Sequence, residues 1–107
     1  MTSMDDREKA FENKYAHDQA LEFKAVARRN KLLGLWAAEL MGIEGEAAAN
    51  YAKEVVKADF EEAGHEDVYR KVKGDLDAKG VDMSEHLIRK QMDDLLATAR
   101  QQVQAEG

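Results

Sequence analysis

The chain has 107 residues, with sixteen basic side chains against twenty-two acidic ones and a net charge of −6, which is one acidic domain's worth of sequence. That charge opposes a nucleic-acid backbone, so no nucleic-acid partner is expected. Cysteine is absent, which excludes disulfides, thiolate metal sites and thiol nucleophiles together. Proline is absent too, and Ala, Glu, Lys, Leu, Gln and Arg dominate, so an all-α fold is predicted.

Residues 1–20 and 43–107 are net acidic, whereas 21–42 carries Lys24, Arg28, Arg29 and Lys31 against Glu22 and Glu39 and is net basic. Glycines divide the sequence into four stretches of helical length: Gly42 and Gly45, then Gly64, then Gly80, each placed near a helix C-terminus.

The first stretch, 1–41, is not uniform. At 100° per residue Met4, Phe11, Tyr15, Val26, Leu33 and Leu40 lie near one line, but Asp18, Glu22 and Arg29 lie on the same line. One buried face is not expected to carry three charges in its middle. The stretch therefore divides into a core helix from about 21 to 41 and a narrow-striped leading segment. Leu32 to Met41 is apolar nearly all round and is expected at the centre of a bundle, with Gly34 admitting a neighbouring helix at close range.

The leading segment opens with Ser3-Met4-Asp5-Asp6, a capping-box start, so it can be helical. Its large apolar groups, Met1, Met4, Phe11 and Tyr15, are few among many charges, and a helix of this length is marginal alone in water. Residues 1 to about 18 are expected to be partly disordered in the isolated protein. Met4, Phe11 and Tyr15 supply anchors at the spacing a helix uses in a partner's groove.

The second stretch, about 46–62, places Tyr51, Ala52, Val55, Val56 and Phe60 on one face. The third, about 66–78, does so with Val68, Tyr69, Val72 and Leu76, and Gly74 weakens it. The fourth, about 83–104, aligns Ile88, Met92, Leu95, Ala99 and Val103, with Leu87 and Leu96 widening the stripe. Asp82 is expected to cap it, with Glu85 three residues on. Each helix needs the others to bury its apolar side.

Chemistry-bearing constellations are sparse. His17, His65 and His86 stand on different stretches with no His or Cys three or four residues on, so no metal is expected. Adjacent acids such as Asp5-Asp6, Glu61-Glu62 and Asp93-Asp94 diverge on a helix and read as solvated faces. Asp75 to Gly80 has the outline of a calcium loop, but its fifth position is Lys79 and its twelfth is His86, so a helix end and glycine cap explain it better. No phosphate-cradling glycine loop occurs. Lys24, Arg28 and Lys31 share a face that is read as solvated, with an acidic partner surface or a phosphate as the other possibility. Neither an enzyme nor a cofactor is expected. No apolar run reaches the roughly 20 residues that span a bilayer, and Met1 to Asp6 lacks an export signal, so a cytoplasmic location is expected.

Asp5-Asp6-Arg7-Glu8-Lys9-Ala10-Phe11-Glu12-Asn13-Lys14-Tyr15-Ala16-His17-Asp18 resembles the opening of the zeta-subunit family, small inhibitors of bacterial F-type ATP synthases. The likeness continues through Phe23 to Ala38 and returns in Tyr51 to Glu62 and in Glu66 to Val72. The resemblance implies a four-helix bundle, residues 20–107, with a flexible N-terminal arm, residues 1–19. It further implies that the arm folds into a helix at a catalytic α/β interface, reaches toward the central γ subunit and blocks ATP hydrolysis. The inhibitory role carries over to Met4, Asp5, Asp6, Arg7, Phe11, Lys14 and Tyr15, with Met4 and Tyr15 standing where the family more often has Phe. The chain would then be peripheral to the inner membrane through the synthase, without inserting in it. The alternative is a non-catalytic helical adaptor that docks its N-terminal helix on another protein.

Overall fold

The computed structural model describes the backbone of residues 2–59 and 66–106, and the side chains of 18–59 and 66–106. Four helices follow in order: α1 (Thr2–Leu40), α2 (Gly45–Ala58), α3 (Glu66–Ala78) and α4 (Glu85–Glu106). They form a four-helix bundle with no strand among the described residues.

The chain turns sharply after α1 and α3 for one reason. Gly42 and Gly80 adopt φ of +75° and +76°, which lets the following residue fold its N–H back onto the helix. Ile43 N–H donates to the Ala38 carbonyl at 2.8 Å, and Val81 N–H donates to the Leu76 carbonyl at 2.9 Å. The Asp75–Gly80 segment is thus a helix end, as its residues suggested. Gly45 is instead the first residue of α2. That helix ends at Ala58 with Asp59 as its C-cap, and Phe60 to Glu62, expected to extend it, lie outside the described residues together with Gly64.

The cap of α4 also differs from expectation. Ser84, not Asp82, accepts the Leu87 N–H through its hydroxyl, at 3.2 Å. This sets the helix start at Glu85, two residues later than the Asp82 cap implied.

Two apolar clusters hold the bundle together. The larger joins Leu33, Ala37 and Ala38 of α1 to Tyr51 and Val55 of α2, Val68, Val72 and Leu76 of α3, and Ile88 and Met92 of α4. The smaller places Ala25, Leu21 and Leu32 of α1 against Leu96, Ala99 and Val103 of α4, so α4 runs back along α1. Where α1 crosses α2, a Cβ on Gly34 would sit 2.6 Å from the Ala52 Cα, so the crossing is closer than a side chain permits. Gly34 does what its cost in helix propensity suggested.

Two expectations about α1 need correction. The segment from Leu32 to Met41 is not enclosed all round: Leu33, Ala37 and Ala38 are buried and Leu32, Trp36 and Met41 pack at the core's edge, but Leu35 and Leu40 are 36% and 37% exposed. And the line of α1 carrying Asp18, Glu22 and Arg29 does enter the core, because Arg29 is 2% exposed. Charges on that line therefore do not by themselves separate arm from bundle.

Arg29 is accommodated by neighbours that sequence spacing does not reveal. Its Nε donates to Asn30 Oδ1 at 2.7 Å. Burial pulls its pKa down, while the carboxylates of Asp59 at the end of α2 and Asp93 on α4 work against that, and the guanidinium stays charged. The side chain thus ties α1 to both neighbours electrostatically. Arg29→Ala should destabilise the bundle by about 3–5 kcal/mol in urea unfolding, since it leaves buried polar groups without their counterpart. Arg29→Met, which fills the volume, should cost less. A loss under about 1 kcal/mol for the alanine variant would mean the ion contributes little.

Candidate functional site

The site read from the sequence is the N-terminal arm, and α1 carries it. From Leu40 to Thr2 this helix is continuous over 39 residues, about 58 Å at 1.5 Å per residue. Asp18, Gln19 and Ala20 are exposed, and Leu21 is the first described residue packed into an apolar cluster. Nineteen residues of α1, 2–20, lie ahead of this first described core residue, a run of about 29 Å. The side chains of Met4, Asp5, Asp6, Arg7, Phe11, Lys14 and Tyr15 lie outside the described residues, as do those of His17 and His65.

At the junction of arm and bundle, ion pairs fix α1 against α4. Arg100 binds Glu22 through Nε and Nη2 at 3.0 and 2.6 Å. On the adjoining face Arg28 grips the Glu106 carboxylate with both terminal nitrogens, one bond being 2.8 Å, which raises the arginine's pKa and lowers that of the glutamate. Each pair is exposed and adds little to stability by itself. What they contribute is direction, because they hold the last turns of α4 against the part of α1 that leads into the arm. Arg28 is thus engaged, whereas Lys24 and Lys31 on its face are exposed.

The far end of the bundle is fastened by polar side chains of α2, α3 and α4. Tyr51 donates its hydroxyl to Asp75 Oδ2 at 2.8 Å, and Lys71 reaches the same oxygen at 3.1 Å while lying 5.3 Å from the Tyr51 ring centre. Burial, then the bond to Asp75, pushes the Tyr51 phenol well above its ordinary pKa. Arg89 chelates Glu66 at 3.0 and 3.1 Å and stacks 4.1 Å from the Tyr69 ring centre, which holds Glu66 below the usual carboxylate range. These are fastenings between helices. Among the described residues no three His, Cys, Asp or Glu side chains converge to hold a metal, and no helix is long and apolar enough to cross a membrane.

Sequence reasoning missed Arg29 and also missed which apolar side chains stay outside. Phe23, Leu35 and Leu87 are 64%, 36% and 50% exposed. Phe23 and Leu35 are three helical turns apart on one row of α1, a signal that a four-residue spacing count detects but a search for a single core face does not.

A family model described as ATPase inhibitor subunit zeta matches residues 1–102, arm and bundle together. The chain belongs to the ATPase inhibitor subunit zeta family. The resemblance carried by the first two sequence blocks pointed to this family. Three solved chains match as well. One, determined by solution NMR, is 56% identical, superposes with a TM-score of 0.72, and covers 81% of this chain and 99% of its own. None of the curated proteins matches the chain. Membership of the zeta family connects the chain with ATP synthase and with its inhibition.

Proposed function

We propose that this zeta-family chain inhibits a bacterial F-type ATP synthase by inserting residues 1–19, as a helix, at a catalytic α/β interface next to the central γ subunit. It carries out no catalysis of its own. One observation supports this reading above the rest: the family match runs from residue 1 to 102 and so takes in the segment ahead of Leu21 as well as the bundle.

The physical logic is selective binding. A rotary ATPase hydrolyses ATP only while its catalytic interfaces cycle between open and closed shapes. A helix that fits one shape better than the others holds the enzyme there, by no more than that difference in affinity. The run of about 29 Å ahead of Leu21 is long enough to fill such a cleft. Positions 4, 11 and 15 recur at intervals of seven and four, so on one helix they share a stripe that can enter an apolar groove. The bundle, too broad to follow, limits the depth of entry.

Phe11 is the largest apolar side chain of that stripe. Burying it against a partner is worth about 1.5–3 kcal/mol, so Phe11→Ala should raise the half-inhibitory concentration about 10–100-fold without altering thermal unfolding. The measurement is ATP hydrolysis by the matched synthase over a titration of each protein. An unchanged curve would remove Phe11 from the interface.

A further inference from the structure

The arm does not account for a second exposed feature, on the opposite side of the junction from the Glu22–Arg100 pair. Phe23, Ala27, Lys31 and Leu35 follow one another at four-residue intervals along α1, forming a ridge about 18 Å long. Alongside it, two adjoining hollows of about 510 and 370 Å³ share Lys31 and Val56. The larger is lined by Leu35, Ala49, Ala52 and Val56, with Lys31 and Lys53 at its edge. The smaller runs beneath Phe23 and Ala27 to Val103 of α4, with Lys24 at its edge and Arg28 bound to the one carboxylate that lines it, Glu106. Together they make an apolar channel three helical turns long.

The charge around this channel is unlike that of the rest of the molecule. Elsewhere cations are matched: Lys71, Lys73, Lys90, Arg89 and Arg100 each meet a carboxylate. Among the described residues, Lys24, Lys31, Lys53, Lys57 and Lys79 make no salt bridge, although Lys24 lies near enough to Glu106 to help hold its carboxylate ionised. Three of these five border the channel, and Lys57 lies one turn beyond Lys53. In a chain of net charge −6, positive charge without a salt-bridge partner is thus gathered on one face, around the exposed Phe23 ring. An apolar floor between lysine borders complements an amphipathic helix whose apolar stripe is flanked by carboxylates.

Position in the molecule indicates whose helix this is. Phe23 lies two residues beyond Leu21, where the arm meets the bundle, and on the same helix. A partner that holds the arm therefore reaches the channel without a gap. We infer that the α1–α2 channel is a second docking surface, which receives an acidic amphipathic helix from the same ATP synthase head that takes the arm. The inference rests on the inhibitory reading above, and adds where the bundle itself is held.

The test uses the full chain and the matched synthase. A benzophenone photo-cross-linker is placed at position 11 in one sample and at position 35 in another. Position 11 reports on the arm and position 35 on the channel. Both are expected to attach to synthase subunits. In addition, Lys31→Glu with Lys53→Glu should abolish the cross-link from position 35 and raise the half-inhibitory concentration about tenfold at low salt, an effect that shrinks as salt is added. Both lysines are exposed, so the variant should keep its helical circular dichroism.

Attachment from position 11 but not from 35 would overturn the docking surface and leave the inhibitory reading intact. A position-35 cross-link to a second copy of the chain would overturn it as well, in favour of a self-association face. Binding of anionic phosphatidylglycerol vesicles that the double variant loses, with no cross-link from 35 to the synthase, would overturn it in favour of a lipid surface. Failure of both positions to attach would end both readings.

Discussion

A chain shortened to begin at residue 19 is expected to lose all inhibition of ATP hydrolysis while its bundle stays folded. The described members of both apolar clusters survive the deletion, since the first of them is Leu21. The ion pairs from Glu22 to Arg100 and from Arg28 to Glu106 survive as well. Residues 18–20 are exposed, so the cut passes where little packing is lost. Circular dichroism should show a bundle with nearly the parent unfolding midpoint. What is removed is the segment assigned to the catalytic interface, with Met4, Phe11 and Tyr15 on it. If the channel between α1 and α2 also docks, the shortened chain will still bind the synthase weakly and occupy it without blocking turnover. Undiminished inhibition by the shortened chain would refute the assignment of the arm.

Gly34→Ala is expected to destabilise the bundle by about 2 kcal/mol, lowering its unfolding midpoint by about 10 °C, and Gly34→Val by more. Alanine ordinarily stabilises a helix by about 1 kcal/mol relative to glycine, so the sign here has to be reversed by contact. The contact is with backbone. The added Cβ would lie 2.6 Å from the Ala52 Cα and 3.2 Å from Val55 Cγ2. Ala52 is 1% exposed and Val55 fully buried, so neither can swing aside and the two helices must part. Gly74 provides the opposite case within the same fold. It is exposed on α3 with nothing within 4 Å of an added Cβ, so Gly74→Ala should stabilise by about 1 kcal/mol. Equal responses at the two glycines in thermal unfolding would contradict the close crossing of α1 and α2.

The pair of glycines illustrates what a sequence can and cannot reveal. Gly34 stands in an otherwise apolar run, and only close helix approach justifies it there. Gly42 and Gly80 mark helix ends because the left-handed cap needs them. The stripe of α4 gave Ile88, Met92, Ala99 and Val103 as core residues for the same reason, a period that the backbone imposes. Periodicity names a face but does not say what covers it. Leu35 and Phe23 remain exposed because α2 and α4 pack elsewhere on α1. Arg29 is buried because Asp59 and Asp93, thirty and sixty-four positions away, offset its charge. Ser84 rather than Asp82 caps α4 because α3 ends two residues past Leu76 and the link from Gly80 places the hydroxyl at the helix mouth. The arm was legible in a different way, through a long and specific likeness to the zeta family, and no count of apolar positions would have supplied its partner.

Amide hydrogen exchange across residues 2–18, on the purified chain and again with the matched synthase present, tests most directly whether the arm is the part that changes state. The amides of this stretch should exchange fast in the free chain and become protected at least tenfold in the complex, while those around Val55 and Val72 stay equally slow in both. Protection of the stretch equal to that of the interior before the synthase is added, or no gain once it is present, would contradict an inserting arm.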